Sequence, residues 1–162
     1  MNALLEIPLN GEDIARKAMM TPAQKTVDKM QAVMEKMPQV EMPLTHEFAP
    51  NLYIRTILMP KGSFVISKIH KTEHPFIISR GKVAVWIEGV GVKIFTAPHR
   101  GITKAGTRRL LYMHEDTEWT TFHVTDKTDL DEIEKDVIFK PESDDVVEIS
   151  ETELKQLKGK HD

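Results

Sequence analysis

The sequence predicts a mainly β protein, a single barrel or sandwich with a helical arm before it and short helices after it. Three observations carry this. Between about Leu44 and Val124 the chain falls into short alternating runs separated by turn residues: YIRTILMP, KGSFVISKIH, HPFIISRGKVAVWIEG, VGVKIFTAPHRG, TKAGTRRLLYM and EWTTFHVT. Several short strands at that spacing are the pattern of all-β sandwiches and barrels. A length of 162 residues with 40% hydrophobic content closes one modest core. The segments on either side of the alternating region have helical rather than strand periodicity.

In chain order, Gly11 to Met37 suits a helix: Val27, Met30, Val33, Met34 and Met37 fall on one face until Pro38 ends the pattern. Methionines on such a face serve as flexible packing, against the same chain or across a dimer contact. The runs VAVWIEG and VGVKIFTAP, joined through Glu88, Gly89, Val90 and Gly91, form a hairpin signal, because glycine takes the positive φ that tight turns need. Asp129 to Val137 reads as a short helix. Ser150 followed by Glu153 reads as a capping box opening a last helix, with a frayed end from Lys158 to Asp162. The expected division is a helical arm over 1–43, a barrel over 44–126 and a helical segment with a tail over 127–162. There is no internal repeat and no low-complexity segment.

Composition removes several function classes. Lys and Arg total 22 against 25 Asp and Glu, a net charge of −3, so no global positive field draws nucleic acid or anionic lipid. Neither nucleic acid nor a membrane is expected as a partner. The absence of cysteine excludes disulfides, thiolate zinc sites and cysteine nucleophiles, and agrees with a reducing compartment. The opening MNALLEIPLNGEDIARK lacks a basic segment followed by an apolar run, and the expected location is the cytoplasm. No Gly-rich phosphate loop, Gly-x-Ser-x-Gly elbow, His-Glu-x-x-His helix or nucleic-acid module is present.

The chemistry concentrates in GSFVISKIHKTEHPFIISRG, Gly62 to Gly81. A strand puts every second side chain on one face, so Phe64, Ile66, Lys68 and His70 are expected to share a side. If Phe64 and Ile66 line an interior, Lys68 and His70 point inward too. By the same count His74, Phe76 and Ile78 share a face, and two imidazoles converge from paired strands, as a divalent ion requires. In EWTTFHV, one register turns Trp119, Thr121 and His123 inward and completes a three-histidine site; the other turns Phe122 and Val124 inward. His99 sits in a Pro-His-Arg-Gly turn, His46 and His114 precede acidic residues and are candidates for a polar rim, and His161 lies in the tail. Isolated histidines are more often hydrogen-bonded structural residues than ligands.

The stretch resembles the first motif of a cupin barrel. That motif runs from a glycine through a strand to His-x-His, then to a Glu, and six residues on to a Gly that opens the next strand. Counted back from Gly81, His74 stands at the Glu position, His70 at the second His and Lys68 at the first. The second cupin motif, Pro-x-Gly followed by a ligand His, resembles Lys104 to Arg109, with Arg109 at the His position. Two of the four usual ligand positions thus hold metal-competent side chains, one holds Lys and one holds Arg. Residues 45 to 138 also look like a group of small cupin-like proteins of tailed bacteriophages and prophages, a resemblance that implies the fold and no activity.

The resemblance implies a cupin-like jelly-roll barrel and a homodimer, and the residues themselves support two alternative functions. In the first, His70, His74 and His123 hold a divalent metal beside a small-molecule ligand. In the second, a non-enzymatic accessory or binding protein takes an anionic ligand in a basic pocket, or engages a protein partner through its surface. The basic set Lys68, Arg80, Lys104, Arg108 and Arg109 favours an anion, because a guanidinium fork binds carboxylate or phosphate through two bonds. The candidate ligand contacts are Lys68, Arg108, Arg109 and Tyr112. The alternative for the basic set is a solvated face with weak ion pairs to Glu73, Glu115 and Asp116. Trp86 and Trp119 are expected in the core or a pocket wall, and His74 with Glu115 is a conceivable acid and base pair.

Overall fold

The computed structural model describes residues 22–87 and 91–139. The expected helix start at Gly11, the turn residues Glu88 to Val90, the Ser150 capping box and the His161 tail lie outside the described residues. Helix α1 (Pro22–Glu35) precedes β1 (Leu44–Ala49), β2 (Leu52–Met59), β3 (Phe64–Ile66), β4 (Ile69–His70), β5 (His74–Arg80) and β6 (Lys82–Ile87). Then come β7 (Gly91–Thr96), β8 (His99–Thr103), β9 (Leu110–Met113), β10 (Thr117–Val124), helix α2 (Leu130–Val137) and β11 (Ile138–Phe139).

Two antiparallel sheets form the body, one in the order β1-β2-β10-β5-β8 and the other in the order β3-β9-β6-β7, with a small β4-β11 pair at one end. Strands far apart in sequence pair, as β2 and β5 do with β10, which gives a mainly β, cupin-like jelly-roll barrel. The expected hairpin is present, with Ile87 opposite Gly91. Between the sheets lie Met59, Phe76, Ile78 and Trp119 from one side and Val83, Val85, Leu111 and Met113 from the other, all buried. Burial of side chains this size is worth about 1.5–3 kcal/mol each against exposure, and is the main force closing the barrel.

Helix α1 covers the outer face of the four-stranded sheet. Val27 and Met30 are buried, and Met30 packs with Leu110, Phe64, Ile66 and Trp86. Helix α2 begins at Asp129, whose side chain accepts from the Glu132 N–H at 3.0 Å, and it buries Ile133 and Val137 against Tyr53. Its following residues form β11, with Ile138 opposite His70.

One expectation is corrected here. Phe64 and Ile66 do not join the core between the sheets; they pack toward α1, Ile66 also bordering the cavity, and Val65 takes the inner core position. The strand stops after Ile66, and the Ser67 N–H bonds the Arg109 carbonyl at 2.9 Å. When pairing resumes at Ile69 the partner is β11 rather than β9. That break resets the alternation, so Ile69 is buried against Phe139, Lys68 is exposed and His70 turns inward.

Candidate metal centre

Register builds the site on the inner face of β2, β10 and β5. His123 stands opposite Tyr53, Thr121 stands opposite both Arg55 and Phe76, and His74 stands opposite Thr103. Since β10 and β5 run antiparallel, His123 and His74 are neighbours one step beyond the Thr121–Phe76 pair, with ring centroids 4.6 Å apart. His70 arrives from β4, 4.3 Å from the His74 ring and stacked 5.4 Å from the His123 ring. One ligand nitrogen from each of the three lies within 4.8 Å of the others. Three imidazoles facing one point suit zinc, iron, nickel or copper.

Contacts outside this cluster orient the rings. The Thr72 carbonyl lies 3.3 Å from His74 Nδ1; with that nitrogen donating, Nε2 keeps the lone pair. His70 hydrogen-bonds the Lys68 backbone. His123 Nε2 lies 3.0 Å from Thr121 Oγ1, while its Nδ1 is buried and has no hydrogen-bond partner among the described residues. A buried ring nitrogen without a partner is costly unless something completes it, and a cation would. The three residues therefore fit a divalent metal.

Electrostatics agrees. Burial, then the nearby His74 and His123, holds His70 far below the usual imidazole range, at about 3. Burial, with His74 and Arg55 adding to it, lowers His123 to about 4. Burial also lowers His74, with Arg109 adding to it and the Thr72 bond opposing it. All three are neutral at pH 7, with lone pairs free for a cation.

The cluster opens onto a cavity of about 450 Å³ between the sheets. Its floor is apolar, formed by Ile57, Met59, Val65, Leu111 and Trp119. Exposed lining residues Leu44, His46, Lys68 and Leu130 mark the side open to solvent.

The other expected residues divide. Arg109 lines the cavity, its Nη1 donating to Thr103 Oγ1 at 2.9 Å and its guanidinium 4.9 Å from the Phe76 centroid. Lys68 stands at the rim with its side chain 63% exposed, bonded to Glu134 at 2.7 Å. Arg108 lies elsewhere: adjacent residues point to opposite sides, and its buried side chain pairs with Asp28 of α1 at 2.5 Å and bonds Gln31. Tyr112 is also outside the cavity, because Leu111 takes the inner position and Tyr112 packs on Phe64 at 4.8 Å. Arg80 and Lys104 are exposed and off the cavity lining. His99 stacks on Phe95 at 4.2 Å, and His114 meets the Tyr112 ring edge-on. Glu115 is exposed and does not line the cavity, so His74 and Glu115 are not an acid and base pair.

Two cavity residues, Arg55 and Tyr53, escape the sequence reading. His46, a candidate for a polar rim, lines the cavity beside them, with its Nδ1 2.6 Å from the Tyr53 hydroxyl and Tyr53 stacked 5.8 Å from His123. The available signal is an arginine on the stripe Tyr53, Arg55, Ile57, Met59. It is masked because Ile54 and Leu58 make the opposite face of β2 apolar as well.

Fold and site together define a cupin-like barrel with a three-histidine centre. No protein-family model matches the chain, and no curated protein sequence matches it. Solved structures that resemble it include cupin-domain proteins. The cupin domain of an XRE family transcriptional regulator from Enterobacter cloacae is 11% identical with a TM-score of 0.43, covering 51% of this chain and 95% of that one. A cupin superfamily protein from Desulfitobacterium hafniense is 8% identical with a TM-score of 0.45, covering 59% and 87%. An RmlC-like cupin with a double-stranded β-helix fold from Methanocaldococcus jannaschii is 12% identical with a TM-score of 0.44, covering 56% and 85%.

Proposed function

We propose that this protein binds a small molecule in its barrel beside a divalent metal held by His70, His74 and His123. The observation that carries the reading is the convergence of three neutral imidazoles on one point at the wall of a sizeable cavity. Three protein ligands leave coordination positions open, and a metal bound there would polarise a ligand oxygen or acidify a bound water. The chain's own contribution is to hold the three rings in one tautomeric arrangement through Thr72, the Lys68 backbone and Thr121, and to shield them beneath α2. The test is thermal unfolding of chelator-treated protein with added zinc, manganese, iron(II) or nickel. At least one metal raises the midpoint of the wild type and leaves His123→Ala unmoved; equal responses in both proteins would overturn the reading.

A second reading is favoured by Arg109, whose buried Nε has no hydrogen-bond partner among the described residues. In it the pocket takes an anion without a metal, and stability ignores chelators but rises with the anion. The sequence resemblance leads us further to propose a cytoplasmic homodimer of phage or prophage type, in which Lys68 and Arg109 touch the ligand. Sedimentation of the purified chain checks the dimer.

A further inference from the structure

The charges lining the cavity do not balance from within. Among the described lining residues Arg55, Lys68 and Arg109 contribute three cations, and Glu134 is the one carboxylate. Lys68 holds Glu134 at 2.7 Å, and among the described residues neither Arg55 nor Arg109 has a carboxylate in contact. Among the described residues Arg55 makes no side-chain hydrogen bond or ion pair; burial lowers its guanidinium from the usual range, and the fields of Tyr53 and Glu134 oppose that. Arg109 spends Nη1 on a neutral hydroxyl and keeps a bare, buried Nε. A guanidinium taken out of water without a carboxylate is costly, so two of them at one cavity wall call for an anion from outside.

Register places the two on either side of one row. Arg55 is opposite Thr121, Thr121 is opposite Phe76, and the Arg109 guanidinium lies over the Phe76 ring. The row at His74 and His123 borders them on one side. On the other side is the row of Ile57 and Trp119, leading to the apolar floor at Met59 and Leu111. The cavity is thus graded from donors to hydrocarbon.

We propose that the cavity takes a small amphipathic carboxylate, its head held between Arg55 and Arg109 and its apolar body laid on Ile57, Met59, Leu111 and Trp119. This rests on reading the cavity as the ligand site, and it holds with or without the metal. Two coplanar carboxylate oxygens match the guanidinium fork. Free phosphate would satisfy the charge but leave the floor uncovered, so the floor selects an organic acid.

The test titrates the full chain with hexanoate, hexan-1-ol and inorganic phosphate by calorimetry at neutral pH, once zinc-loaded and once after chelation. Hexanoate binds at least about tenfold more tightly than hexan-1-ol in both states, since a charge-assisted pair of bonds is lost in the alcohol. Arg55→Gln weakens hexanoate at least about tenfold, leaves hexan-1-ol unchanged and retains its zinc. Equal binding of acid and alcohol to the wild type would overturn the proposal, whatever the variant does. So would phosphate competing as well as hexanoate, or Arg55→Gln binding hexanoate as the wild type does. Because the preference is read in chelated protein too, a failure to hold zinc sinks the metal reading without deciding this one.

Discussion

Acidifying the metal-free protein should unfold it well above the pH at which its carboxylates protonate. His70 and His123 have folded values of about 3 and about 4, both below the ordinary imidazole value of 6.5. The unfolded chain therefore takes up these protons first. The stability tied to the neutral histidines is fully present above about pH 6.5 and is lost as pH falls toward the folded values. Each group contributes a slope of about 1.4 kcal/mol per pH unit in that window. Moving from about pH 6.5 to about pH 5 thus removes about 2 kcal/mol per histidine and about 4 for the pair, a large part of the 5–15 kcal/mol typical of a domain. Urea unfolding of chelated protein at about pH 7 and about pH 5 measures the difference, and a His70→Gln, His123→Gln double variant subtracts the carboxylates. Equal stability of the wild type at the two pH values, or a slope the double variant keeps, would refute the argument that these rings are buried neutral.

Two further outcomes follow from the packing. Gly81 has a φ of +104°, and a Cβ there would collide with Thr117 Oγ1 and meet the Asp116 carbonyl oxygen at 2.5 Å, so Gly81→Ala should cost at least about 2 kcal/mol by urea unfolding. Arg108→Ala removes the ion pair tying α1 to the barrel and should destabilise by about 2–4 kcal/mol while leaving metal content unchanged, since Arg108 lies outside the cavity.

Much of the barrel was legible because its physics is local. Alternation marked β2, β5, β6, β7 and β10, the glycine-containing link marked the β6–β7 hairpin, and Asp129 with the apolar positions after it marked α2. His74 and His123 were reachable by the same counting, although β10 could be read in two registers, whereas His70 was placed inward by an alternation that the structure breaks before it. What escaped depends on contacts between distant segments. Nothing between Phe64 and His70 announces that pairing passes from β9 to β11, so the alternation was carried through a break that reverses it. Arg108 and Arg109 are equivalent as neighbouring cations in sequence. Only the fold sends Arg108 to Asp28 and Arg109 over Phe76. Arg55 was hidden by a strand apolar on both faces, and its role emerges only when β2 is placed beside β10.

The account centres on a three-histidine metal site in a cupin-like barrel. Elemental mass spectrometry on untagged protein purified without chelator, beside a His70→Ala, His74→Ala double variant whose fold is verified by circular dichroism, tests it most directly. Near-stoichiometric zinc, manganese, iron or nickel in the wild type and none in the folded variant is the predicted result; a wild type that carries no metal and takes none up from solution would contradict it.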